Sequence, residues 1–230
     1  MGASLVFTSN IEVDGKNKEF HIKKAFCIGY SGRDKEKTLA HIRELARIGV
    51  PEPTEIPTLY PVSVSTLTQK NIIEVIGEET SGEAEIVIIF GNTSEEVYVT
   101  VGSDHTDRSL ETNNINKSKQ VCSKPFANKA WCVRKIKTYW DKLILSSSVF
   151  IDEKWQKYQF DSVSSIIRLK EIEDFLIKKY IHLENTIVFC GTVPLVDGFK
   201  YGEKFRMELI DPVNKDTIRA EYCIKNLSRM

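Results

Sequence analysis

No sign of charge dominates this chain: 32 lysine and arginine residues face 32 aspartate and glutamate residues, for a formal net charge of zero. That balance excludes the broad basic face that nucleic acid or an anionic membrane surface selects, and points to a small partner. Cysteine is sparse and unpatterned. Cys27, Cys122, Cys132, Cys190 and Cys223 are odd in number, scattered and without C-x-x-C spacing. This excludes a secreted disulfide scaffold or a zinc finger and predicts reduced, mostly buried thiols. Long apolar runs are absent, and the opening MGASLVFTSNIEVDG has neither a charged leader region nor an apolar one. Gly2 begins a myristoylation-like pattern that Val6 breaks. A cytoplasmic globular protein is the expectation, and 230 residues suffice to bury a sizeable core in one domain spanning 1–230.

What is present is mostly strand. The N-terminal segment alternates and contains Asp14-Gly15, a strong hairpin signal, predicting strands near 4–13 and 18–29. Asp34 then caps a helix to about Ile48 with Leu39, Ile42 and Leu45 on one face, Gly49 as terminator and Pro51 beyond. PEPTEIPTLYP reads as a rigid connector to the strand IIEVIG. The polar stretch from Asp104 to Asn128 reads as a long loop, the kind often kept for function. Helical spacing marks Trp131–Leu145 and Ser165–Ile181, the latter with an apolar stripe on Ile166, Leu169, Ile172, Phe175 and Leu176; residues 148–160 read as a hairpin. IVFCGT, FRMELI and IRAEYCIKN close the chain as strands. Strands with a few separated helices define an α+β class dominated by β structure.

The stretch with most chemistry is SGEAEIVIIF followed by VGSDHTDRSLE. A strand sends alternate side chains to opposite faces, so Glu83 and Glu85 point one way, and the turn GNTSEE brings Asp104 back beside them. Three hard oxygen donors suit Mg²⁺, Mn²⁺ or Ca²⁺ better than zinc. Glu-x-Glu alone is commonly the solvated face of a half-buried sheet, but Glu85 opens into the apolar run IVIIF, where an uncompensated carboxylate is costly to bury. His105 is left out of the ligand set because adjacent extended residues diverge. His21 and His182 have no suggestive neighbours.

From about Cys27 to Asn226 the sequence resembles the fumarylacetoacetate hydrolase superfamily, and within it a branch known only as a domain of unknown function. The family's EGELAVVI, GNDVSARDLQ, lysine segment and TGTP are matched in order by GEAEIVII, GSDHTDRSLE, NKSKQ and CGTVP. The resemblance implies a rolled mixed β-sandwich with a few peripheral helices, commonly a homodimer. Residues 1–60 would form a hairpin and lid helix, and 61–230 a metal-binding β core. Glu83, Glu85 and Asp104 would be the metal ligands, Arg108 a substrate-anchoring arginine, and His41 with Glu44 the H-x-x-E pair of the lid. Two lysines fit the lysine segment, Lys117 and Lys119, with Lys119 favoured. Cys190 stands where the family has the first threonine of TGTP, leaving Gly191 and Thr192 as the oxygen-binding pair. GYSGRDKEK lengthens the segment ahead of His41.

By that resemblance the chain would be a divalent-metal-dependent hydrolase or lyase of a small oxo-acid, most simply a carbon–carbon hydrolase. A metal-stabilised enolate would serve hydrolysis, decarboxylation and isomerisation alike. Without it, His41 and Glu44 are an ordinary helix surface pair and Arg108 a surface ion-pair partner of Asp107 and Glu111. The alternative function is a non-catalytic β-domain that binds a small ligand or partner.

Overall fold

The computed structural model describes residues 5–47, 49–93 and 95–229. The chain opens with β1 (Phe7–Val13), β2 (Lys16–Ile22), β3 (Lys24–Gly29), α1 (Lys35–Arg47), β4 (Thr58–Val62), β5 (Leu67–Thr68) and β6 (Ile72–Val75). It continues through β7 (Thr80–Ser81), β8 (Ala84–Phe90), β9 (Val97–Ser103), β10 (Thr106–Asp107), α2 (Arg108–Glu111), α3 (Ile115–Gln120), β11 (Lys124–Pro125), β12 (Lys129–Cys132) and α4 (Val133–Ile136). The last part holds β13 (Ile144–Ile151), β14 (Lys154–Ser162), α5 (Leu169–Lys178), β15 (Thr186–Thr192), β16 (Lys204–Asp211) and β17 (Asp216–Asn226).

Eight strands in the order β2-β1-β12-β9-β8-β15-β3-β4 form one mixed sheet, and β14-β13-β16-β17-β6 form a second. β8 lies inside the first sheet, paired antiparallel to β9 and to β15, and is buried along its whole length. Its alternation explains why. Ala84, Ile86, Ile88 and Phe90 face a core shared with the second sheet, including Leu145, Phe205, Met207 and Tyr222. Val87 and Ile89 face a second core with Phe20, Cys27, Tyr60, Tyr98 and Phe189 on the other side of the first sheet. A strand apolar on both faces is what a sheet covered on both sides requires. Glu85 shares the Val87 face and therefore enters the second core.

The structure bears out the β-dominated α+β class and several local expectations, with corrections. Asp14 and Gly15 form the hairpin turn with φ of 53° and 75°, and β1 and β2 pair as expected. The expected strand 18–29 is two strands: at Lys23 the backbone amide turns to Asn185 O (2.8 Å), and the chain changes partner from β1 to β15 and β4. Asp34 caps α1, accepting from the Glu36 and Lys37 amides at 3.1 and 3.2 Å. Ile42 is buried together with Thr38, while Leu39 is 41% exposed, so the stripe expected on Leu39, Ile42 and Leu45 is only partly inward. The helix expected over Trp131–Leu145 is a strand end and two short helical turns. Trp131 pairs with Val99 of β9, and its Nε1 donates to Asp216 Oδ2 at 2.9 Å, so tertiary pairing overrides the local period. The helix expected over Ser165–Ile181 is shorter, Leu169–Lys178, with Ile172 and Leu176 buried as expected. The stretch expected as a loop from Asp104 to Asn128 contains α2 and α3. Ile48, the residue at position 4 and the Gly2 pattern lie outside the described residues.

Candidate metal centre

Register assembles the charged groups. Ala84 pairs with Ser103 and Glu85 with Gly102, and one step outward the Asp104 amide donates to Glu83 O at 3.0 Å. Glu83 and Asp104 are thus cross-strand neighbours, and Glu85 sits diagonally on the same face. Gly102 is required opposite Glu85: a Cβ there would lie 2.6 Å from the Phe189 ring and 2.7 Å from Val87 Cγ2.

The segment after Asp104 supplies cations through two short capped helices. Asp107 Oδ1 accepts from the Leu110 amide (3.0 Å) and opens α2, placing Arg108 and Glu111 on one face. The buried Arg108 guanidinium donates to Ser81 Oγ (2.8 Å), Glu111 Oε2 (3.0 Å) and Glu83 Oε2 (3.3 Å) and lies 4.4 Å from the Phe199 ring centroid. Burial alone would lower its pKa; Glu111 and then Glu83 outweigh burial and raise it. It is a locked internal ion pair, not a surface partner. Asn114 Oδ1 accepts from the Lys117 amide (2.9 Å) and opens α3. At 100° per residue, positions two apart on a helix face opposite ways. Lys119 is buried and Lys117 exposed, so Lys119 is the one that the fold brings to the carboxylates. Its Nζ donates to Asp104 Oδ2 and lies 5.5 Å from the Tyr60 ring centroid.

A second buried lysine escaped the sequence reading. Lys124 Nζ donates to His105 O (2.7 Å) and Cys122 O (3.1 Å) and stands 3.3 Å from Asp104 Oδ1. Burial alone would raise the Asp104 pKa, but Lys119 and Lys124 hold it well below the usual carboxylate range. Glu85 differs. It is 4% exposed, no described ion pair reaches it, and its described side-chain hydrogen bond comes from the Gly191 amide to Oε2 at 2.9 Å. Burial, then the negative charge of Asp104, raises its pKa well above the ordinary carboxylate value.

Gly191 can make that bond because β15 slips relative to β8: Phe189 opposes Val87 but Thr192 opposes Glu85, one residue extra on β15. Gly191 has φ +114°, and a Cβ there would strike Ser31 Oγ at 1.7 Å. The Gly191–Thr192 pair expected to hold a substrate carboxylate is engaged internally, Gly191 with Glu85 and Thr192 Oγ1 with Ala84 O (2.6 Å). The buried Cys190 thiol is bonded to Val188 O. Tyr30, at φ +57°, and Ser31 are further neighbours that sequence reasoning missed.

Two expected groupings are not drawn together in this structure. The three carboxylates share one face, but no three acidic, histidine or cysteine side chains are gathered into a ligand set among the described residues; Lys119 has drawn Asp104 and Arg108 has drawn Glu83. The His41–Glu44 pair, Nδ1 to Oε2 at 3.8 Å, is 61% and 69% exposed. No described hydrogen bond or ion pair joins it to the carboxylates. The donor set still fits a hard divalent cation in chemistry and charge: oxygen ligands only, with one buried carboxylate lacking a cationic partner.

The class follows from the arrangement of two sheets and this charged strand end: a rolled mixed β-sandwich of the fumarylacetoacetate hydrolase type. The chain belongs to the family described as "Protein of unknown function (DUF2848)", which it matches over residues 28–222. No curated protein matches the sequence. Among solved structures, the fumarylpyruvate hydrolase from Pseudomonas aeruginosa in complex with Mn²⁺ and pyruvate is similar at 15% identity and a TM-score of 0.62, over 95% of this chain and 96% of that one. 2-Keto-3-deoxy-D-arabinonate dehydratase complexed with magnesium and 2,5-dioxopentanoate is similar at 17% identity and a TM-score of 0.61, over 88% and 73%. Its apo form gives 16% and 0.64, over 89% and 73%. These likenesses show the fold. Among the described residues no helix is long and apolar enough to cross a membrane.

Proposed function

We propose that this protein is a divalent-metal-dependent enzyme acting on a small oxo-acid, most simply by carbon–carbon bond hydrolysis. The observation that carries the proposal is the buried Glu85 carboxylate, set beside Glu83 and Asp104 and lacking a cation in a site where Glu83 and Glu111 share Arg108 and Asp104 has Lys119 and Lys124. Glu83, Glu85 and Asp104 would hold Mg²⁺ or Mn²⁺, with Ca²⁺ as the third choice by donor chemistry. Such an ion, when bound, polarises carbonyl oxygen and stabilises developing enolate charge.

The chain's own groups supply the rest. Arg108 and Lys119 offer fixed positive charge for a substrate carboxylate or enolate oxygen, and burial makes each contact stronger than it would be in water. For Gly191 to bind a distal carboxylate, its N–H must be released by Glu85. His41, oriented by Glu44, would accept the proton of the attacking water. A cytoplasmic homodimer belongs to the same proposal. The competing non-catalytic binding domain is favoured by one observation, the solvent-facing His41–Glu44 pair.

His41→Ala is expected to lower turnover by about 10²- to 10⁴-fold while leaving metal content unchanged, as steady-state kinetics with elemental analysis would register. Unchanged turnover removes the dyad from the mechanism. A screen of small oxo-acids with added Mg²⁺ or Mn²⁺ tests the activity itself: turnover that chelation abolishes is expected, and metal binding without turnover of any oxo-acid would favour the binding domain.

A further inference from the structure

Gln159 lies in β14, in the sheet opposite the carboxylates, and is fully buried. Its Oε1 accepts from the Ala84 amide (2.8 Å) and from Ser147 Oγ (2.7 Å). Its Nε2 donates to Val193 O (2.9 Å) and to Thr192 Oγ1. An amide N–H can only donate and a carbonyl can only accept, so Ala84 and Val193 fix which end of the carboxamide is which. Both acceptor sites and both donors are used.

The partners of this one side chain bracket the candidate metal centre. Ala84 stands between Glu83 and Glu85, and Thr192 and Val193 follow Gly191. Thr192 Oγ1 in turn donates to Ala84 O at 2.6 Å. Gln159 and Thr192 therefore close a ring over both backbone polar groups of Ala84, at the place where β15 has slipped out of register with β8. Without the carboxamide, Ala84 N–H would be unpaired in a dry interior, and Val193 O would keep only the long contact from Thr192 Oγ1 at 3.4 Å. Closure of β15 onto β8 would relieve that cost and would turn Gly191 away from Glu85.

We infer that Gln159 is a positioning residue of the candidate metal centre: through Ala84 and Thr192 it holds open the β15 irregularity from which the Gly191 N–H reaches Glu85. The inference rests on the proposed function only for what the centre binds; the geometry it concerns exists without a ligand.

The test uses the full chain with Gln159→Met, which keeps length and removes all four bonds, and Gln159→Glu, which keeps the two acceptor contacts. Ser147→Ala is the control, because it deletes a Gln159 partner on the side away from the carboxylates. In metal-free protein, hydrogen exchange should show loss of protection at the Gly191 amide in Gln159→Met and partial loss in Gln159→Glu, with Ser147→Ala as wild type. Mn²⁺ affinity by calorimetry should fall about 10- to 100-fold in Gln159→Met and stay unchanged in Ser147→Ala. If Gln159→Met does not fold, Gln159→Glu carries the same comparison. Wild-type protection of Gly191 in the folded Gln159 variants, or equal losses in Ser147→Ala, overturns the inference. A wild-type protein that binds no Mn²⁺ overturns the proposed function instead, and the Gly191 exchange still decides the role of Gln159.

Discussion

Glu85→Gln should abolish metal-dependent turnover and metal retention while leaving the metal-free fold at least as stable as the wild type near neutral pH. The carboxylate it replaces is buried and faces the negative charges of Asp104 and Glu83, so its ionised form opposes folding until a cation arrives. Glutamine keeps the shape and can still accept the Gly191 N–H. The pH dependence separates this from a general effect. Because the native Glu85 pKa is raised, chiefly by burial and next by Asp104, the native state keeps this proton to higher pH than the unfolded chain does. Stability from this group is full below about 4.3, the unfolded value, and is lost as pH rises through the native pKa. Asp104 acts with the opposite sign: its depressed pKa stabilises above about 3.9 and that contribution is lost as pH falls through the native value. Denaturant titrations of the metal-free proteins from acid to neutral pH should therefore show a decline in the wild type that Glu85→Gln lacks. Identical curves for the two proteins would contradict the account.

Lys119→Met is expected to destabilise the metal-free protein by about 3 kcal/mol, since removing one partner of a buried ion pair leaves the other charge under-compensated. Asp104 is fully buried and would retain only Lys124, 3.3 Å from its Oδ1. Turnover should fall with it, because the same ammonium is the proposed contact for substrate oxygen. Lys117→Met, on the exposed side of the same short helix, should lie within about 0.5 kcal/mol of wild type. Urea denaturation midpoints for the pair measure the difference directly; similar values for both variants would remove Lys119 from the centre.

Much of this architecture is legible where local pattern and tertiary demand agree. The Asp14-Gly15 hairpin, the Asp34 cap and the strands holding Glu85 and Gly191 follow from turn chemistry and β-branched alternation, and the site face of β8 follows from its period of two. Legibility fails where distant partners decide. Trp131 carries helical spacing but pairs with Val99 and bonds Asp216. α2 and α3 are too short for a hydrophobic period to register; only their caps, Asp107 and Asn114, mark them. Recognising the Asn114 cap would have separated Lys117 from Lys119 by helix geometry alone. Lys124 and Gln159 carry no local signal: Lys124 is placed by the His105 and Cys122 carbonyls and by Asp104, and Gln159 by partners in β8, β13 and β15. His41 and Glu44 have the right spacing on a helix but face solvent, because spacing fixes only that two residues share a face and not what the face meets.

If Glu85 marks the place of a divalent cation, metal content will follow this one carboxylate. Purified protein incubated with Mn²⁺ and desalted should retain the ion stoichiometrically by elemental analysis, lose it on chelation, and retain none as Glu85→Gln. Wild-type protein that retains no Mn²⁺ or Mg²⁺, or a Glu85→Gln variant that retains as much as the wild type, would contradict it.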